Sequence, residues 1–124
     1  MEGTRSHNGV GNDLLDTAAG VERIICPPKD AYDFYQEILD ECRKFPKDRL
    51  FLLSLGVTAK FLAEDLYREG YRVIDIGNLD MEYEWFLQGT YDKVPVEKHE
   101  ITGEEENKKA GYLEYLEQIK VRIG

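Results

Sequence analysis

"LFLLSLGVTAKFLAEDLYREGYRVIDIG", residues 50–77, holds a nearly continuous apolar run, a glycine, an amphipathic helix signal and a second apolar run. The first run, ending at Gly56, has the make-up of a strand buried on both faces, the usual state of a parallel strand in an α/β sheet. Ala59, Leu62, Ala63 and Leu66 then recur at three- and four-residue steps, and Gly70 stands where a helix C-cap needs positive φ. "YRVIDIG" reads as the next strand. Strand, helix and strand joined this tightly make a βαβ unit with parallel strands.

The same unit repeats upstream. "VERIICPP" predicts a strand from Val21 to Cys26, stopped by Pro27 and Pro28, which cannot continue a ladder. "KDAYDFYQEILDECRKF" predicts a helix with Asp30 as N-cap and a stripe through Ala31, Phe34, Tyr35, Ile38, Leu39 and Cys42. The fold class expected is α/β, a Rossmann-like three-layer core with a short parallel sheet of about three strands. That core covers residues 21–91. Residues 1–20 read as a polar, glycine-spaced loop entering a short helix capped by Asn12 or Asp13. Residues 92–111 read as a charged loop, solvated or mobile over 96–111, and 112–124 as a C-terminal helix through Leu113, Leu116 and Ile119 or Lys120.

A chain of 124 residues, 42% hydrophobic, supports one compact domain. The net charge of −9 argues against nucleic-acid binding, which needs a basic surface. No apolar run approaches the roughly 20 residues of a membrane span. The opening "MEGTRSHNGVGNDLLD" lacks a signal-peptide core, so a cytoplasmic location is expected. Cys26 and Cys42 lie on apolar stripes without metal spacing and read as buried free thiols. His7 and His99 are isolated and read as surface residues.

In an open parallel sheet, ligands gather beyond the carboxyl ends of the strands. Here that predicts three crests: residues 26–30, 56–59 and 77–84. At the second, Gly56 and Thr58 open a helix whose N-terminus suits a phosphate or a sugar hydroxyl, although Thr58 reads equally as a simple N-cap. At the third, Asp80-Met81-Glu82 is a D-x-E triplet of hard oxygen ligands suited to Mg²⁺ or Mn²⁺. The competing reading makes Asp80 an N-cap and its acidic neighbours partners of the helix dipole. Conformation separates these. Extended backbone puts Asp80 and Glu82 on one side, whereas a helix brings Asp80 and Glu84 together. Asp75 suits a loop amide or a ribose, and Trp85 with Tyr83 and Phe86 suits a nucleobase or plain packing. "GVGNDLL" fails as a dinucleotide fingerprint, having no preceding strand and no third glycine.

Taken in order, "EGTRSHNGVGNDLL", "RIICPPKDAYDFYQEIL", "LSLGVTAKFLAEDLYREGYRVIDIGNLDMEYEWFLQG" and "KVPVEKH" resemble the bacterial glycosyltransferases of the GT-D fold, a family long labelled a domain of unknown function. The resemblance runs from Glu2 to about His99 and implies transfer of a hexose, typically glucose, from a nucleotide-diphosphate donor such as UDP-glucose to a glycan or glycoprotein acceptor. It implies a divalent cation and a D-x-E motif. On that reading Gly56, Thr58, Asp75, Gly77, Asn12 and Ser6 line the nucleotide-sugar site, Asp80 and Glu82 hold the ion, and Glu84 or Asp13 serves as base. Members of the family are about twice this long, and their amino half carries an F-G-D-G-E loop that is itself a D-x-E. The metal motif therefore has two candidate positions, and a homodimer or a partner amino half is an expected association. The family often has Arg at the position of His7, Pro at Val57 and His at Asn78. Losing that arginine would weaken a diphosphate contact.

Overall fold

The computed structural model describes residues 1–99 and 111–124. Expectations for 100–110 lie outside the described residues. The parallel strands are β1 (Glu2–Gly3), β2 (Arg23–Cys26), β3 (Leu50–Leu53), β4 (Arg72–Asp75) and β5 (Ile119–Arg122). Between them run a 3₁₀ turn at Ala31–Phe34 and helices α1 (Tyr35–Cys42), α2 (Thr58–Arg68), α3 (Leu79–Gln88) and α4 (Tyr112–Gln118). The α/β class with short parallel sheets stands as expected.

The strand arrangement differs from the expectation. β2 does not pair with β3. One sheet runs β1-β2-β5 and the other β3-β4, joined where Glu2 bridges Ser54 and the Ser54 amide donates to the Met1 carbonyl at 2.9 Å. The spatial order is thus β4-β3-β1-β2-β5, with the chain's first residues in the middle. The opening segment is not a simple polar loop, because Glu2 and Gly3 are buried in this seam. Nor does it enter a helix: Asn12 Oδ1 accepts the Leu14 amide at 3.0 Å, an Asx turn, and isolated turns follow. At the other end α4 stops at Gln118, and Ile119–Arg122 alternates as β5 beside β2. Ile119 shares the three-residue spacing of Leu113 and Leu116, which hides the change of period.

One sheet face carries Ile24, Cys26, Phe51 and Leu53 against Ile38, Leu39 and Cys42 of α1 and Ala59, Leu62 and Leu66 of α2. Both cysteines are free and buried there. The opposite face has a smaller cluster of Val10, Ile25 and Tyr115. Beside it Arg23 Nη1 meets Glu2 Oε1 at 2.6 Å, the Asn8 amide groups occupy Glu2 Oε2, and the Arg23 guanidinium lies 5.1 Å from the Tyr115 ring centre. His7 is buried against the same ring, 4.8 Å between centres, and is not a surface residue.

Candidate functional site

β3 and β4 are in register from Leu50↔Arg72 to Leu53↔Asp75, so the loops that follow them leave the same rim. They are tied together there. The Ile76 amide donates to Leu53 O at 2.9 Å and Ser54 Oγ to Gly77 O at 2.7 Å. Gly56 (φ 54°) and Gly77 (φ 53°) both take left-handed turns with open space around the Cα, so conformation rather than crowding calls for glycine. Ser6 follows β1, which bridges to Ser54, so its turn lies on this rim too. Asp75 is engaged locally: Oδ1 accepts the Gly77 amide at 3.0 Å and Oδ2 lies 3.5 Å from Lys60.

Two expected caps do not form. Val57 occupies the N-cap position of α2, and Thr58 is its buried first residue. Asn78 occupies that of α3, and Asp80 lies inside the first turn. Asp30 holds the N-cap position of the 3₁₀ turn, but makes no side-chain cap bond.

Asp80 has no solvent exposure. Its Oδ1 accepts the Gly9 amide at 2.6 Å, Asn12 Nδ2 at 3.1 Å and Lys98 Nζ at 2.9 Å, and its Oδ2 accepts His99 Nε2 at 2.6 Å. Lys98 also reaches the second oxygen at 2.8 Å. Burial pushes the carboxyl up, but the bonds from His99, Lys98 and Gly9 more than offset it and hold Asp80 at about 2. The side chain is therefore an ionised hub. Glu84, one turn along α3, receives Asn12 Nδ2 at 2.7 Å and Lys98 Nζ at 3.1 Å.

Because residues 79–88 are helical, Asp80 pairs with Glu84 across one turn and not with Glu82. Positions two apart point roughly 200° around the axis from each other, and Glu82 is exposed. The expected Asp80–Glu82 pair thus does not fit a shared cation: one carboxylate is saturated by donors and the other faces away. Among the described residues no group of three or more His, Cys, Asp or Glu is arranged to hold a metal ion. Asp13 is exposed and accepts the Tyr83 hydroxyl, a bond that raises the Tyr83 pKa. Trp85 Nε1 donates to Val94 O at 2.8 Å, so the ring fastens residues 92–99 to α3.

The geometry therefore unites Asn12, Asp80 and Glu84, and places Ser6, Gly56, Thr58, Asp75 and Gly77 along the rim. Gly9, Lys98 and His99 were not expected. Far from being an isolated surface residue, His99 is anchored on Asp80, and Val96 beside it is buried, so residues 96–99 are not a free loop. The periodicity of this charged stretch holds no signal of that role, since a hydrogen-bonding side chain needs no apolar spacing.

An open parallel α/β sheet whose glycine turns and helix start share one carboxyl-end rim has the place where proteins of this architecture bind their ligands. The chain belongs to the glycosyltransferase GT-D fold family, whose model matches residues 1–104. It is 47% identical over 104 residues to a probable glycosyl transferase Gly of Streptococcus gordonii and 44% identical to glycosyltransferase GlyD of Streptococcus pneumoniae serotype 4. Those matches cover 84% of this chain but only 15% and 13% of the relatives. Among solved structures, one described as a new glycosyltransferase (DUF1792) from Streptococcus sanguinis superimposes with a TM-score of 0.86 at 42% identity. Another, described as having a distinct glycosyltransferase fold, gives 0.83 at 39%. Each match covers 99% of this chain, which spans just under half the length of those structures, 47% and 46%.

Proposed function

We propose that this chain forms the donor-binding rim of a metal-dependent glycosyltransferase that moves a hexose, glucose by resemblance, from a nucleotide-diphosphate sugar such as UDP-glucose onto a glycan or glycoprotein acceptor in the cytoplasm. The supporting observation is the shared rim: the start of α2 after Gly56 and the Gly77 turn stand side by side on paired strands. A helix N-terminus offers amide groups and a dipole that stabilise negative charge on a leaving diphosphate. The Asp80 hub holds the loop of Gly9–Asn12 and the segment of Lys98 and His99 against α3, which fixes one wall of the rim. Asp13, exposed and held by Tyr83, is the better candidate for the base that takes the acceptor proton, since Glu84 is neutralised by Lys98. The residues present do not fit the divalent cation of this reading, since Asp80 is saturated by donors and Glu82 faces away from it.

Calorimetric titration of the folded chain with UDP and UDP-glucose, with and without Mn²⁺, tests the reading. Binding that is lost in Gly56→Asp, which sets a carboxylate at the helix start, supports it. No heat of binding under any condition, or binding unchanged in Gly56→Asp, overturns it. A second reading is favoured by the chain's share of its solved relatives, 46–47%: a module that binds nucleotide without turnover until a partner half completes it. It predicts UDP binding without hydrolysis or transfer by the isolated chain.

A further inference from the structure

Helix α3 uses Asp80, Glu84 and Trp85 to hold other segments of the chain. Its other two rings do something else. Phe86 is 75% exposed, and the Tyr83 ring lies beside it, nearly parallel at 29° between planes with the centres 6.2 Å apart. Rings at that separation are offset rather than face to face, so the pair forms an aromatic platform open to solvent.

The platform is fastened to the carboxylate assigned above as base. The Tyr83 hydroxyl donates to Asp13 Oδ1. The Asp16 amide donates to Asp13 O at 3.2 Å, which puts a second exposed carboxylate on the same turn. The bond to Asp13 raises the Tyr83 pKa, and the charges of Asp13, Asp16 and Glu84 add to the rise. An aromatic surface rimmed in this way repels phosphates and other anions. It suits an uncharged polyol with an apolar face. A pyranose presents C–H bonds on one face, which are drawn to the electron-rich face of a ring, and hydroxyls around its edge, which donate to carboxylates in charge-assisted bonds. The diphosphate of a donor is better served by the amide groups at the start of α2, so the platform falls to the acceptor.

We propose that Tyr83 and Phe86 form an acceptor subsite, on which a neutral pyranose stacks against Phe86 with its hydroxyl edge toward Asp13. The assignment rests on the glycosyltransferase reading and on Asp13 as its base. It adds the chemistry of the acceptor: the sugar nearest the reaction is uncharged.

The test contains no nucleotide. The folded chain is mixed with methyl β-glucopyranoside, and separately with glucuronate as its anionic analogue, and saturation-transfer NMR reads contact while the ring resonances of Tyr83 and Phe86 locate it. Transfer to the neutral glycoside with shifts at both rings is expected, and several-fold less to glucuronate. Phe86→Ala, at an exposed position that leaves circular dichroism unchanged, is expected to weaken binding roughly fivefold or more. Tyr67→Ala removes an equally exposed ring from α2 and is expected to leave binding intact. UDP titration should be the same for the parent and Phe86→Ala, so failure of the donor reading shows in that titration and failure of the subsite in the glycoside arm. No transfer to the glycoside, transfer unchanged in Phe86→Ala, or equal transfer to glucuronate overturns the proposal. So does a dimer of the chain, seen by light scattering, that Phe86→Ala dissociates, since a second copy then covers the rings.

Discussion

Asp80 and His99, nineteen positions apart, meet through a 2.6 Å hydrogen bond from the ring Nε2 to a carboxylate without solvent exposure. The bond fastens the segment after Val96 to the first turn of α3. The same carboxylate takes the Gly9 amide from the opposite end of the chain, so one side chain joins three segments.

Replacing Asp80 by Ala leaves Lys98 partly buried without its partner and the Gly9 amide without an acceptor. The expected loss is about 3–5 kcal/mol, the scale for breaking a buried ion pair. Glu82→Gln, at an exposed position of the same helix, is expected to fall within about 0.5 kcal/mol of the parent. Urea unfolding of the two variants checks this. Equal losses would contradict the assignment of Asp80 as the buried hub.

The Asp80 carboxyl lies at about 2 in the fold against an ordinary 3.8. The folded state therefore binds this proton more weakly than the unfolded chain. Its contribution, roughly 2 kcal/mol, is fully present above pH ~4 and is lost as pH falls toward 2. Denaturation of the parent and of Asp80→Asn at pH 6, 4 and 2 isolates it. The stability gap between the two should shrink across that interval, and a constant gap would contradict the assignment.

Glu2 and Arg23 form a buried pair at the seam of the sheet. Arg23→Met strands the Glu2 carboxylate, with an expected loss of about 3–5 kcal/mol. Adding Glu2→Gln should recover much of it, because the stranded charge goes with it. A double-mutant cycle in urea measures the coupling, and additive losses would mean the pair is not interacting.

Burial pushes the thiols of Cys26 and Cys42 up, to about 11 and about 12. At pH 8 both are protonated and shielded by α1 and the sheet. Ellman's reagent should leave them unmodified in buffer and react with both in denaturing urea. Rapid reaction of the native protein would show that the core opens locally.

Much of the scaffold was legible because its signals are local. The apolar runs around Ile24, Phe51 and Val73 and the stripes of α1 and α2 all fell within a residue or a few of the elements observed. β1 was not legible, since two residues show no period, and β5 was masked by a leucine spacing that runs straight into it. The order β4-β3-β1-β2-β5 was equally hidden: a βαβ pattern declares strands parallel without saying which are neighbours. At the site, the conditional reading that a helical 80–84 would join Asp80 to Glu84 holds, whereas Lys98 and His99 had no signature at all.

From the letters alone come the α/β class, the rim carrying Gly56 and Gly77, and the family resemblance, because hydrophobic period, glycine and proline act over a few residues. Which carboxylate is buried, what neutralises it and which rings stay exposed were decided only in three dimensions. Those outcomes depend on donors brought to Asp80 from positions 9, 12, 98 and 99, and on the packing of α3 that leaves Phe86 in solvent.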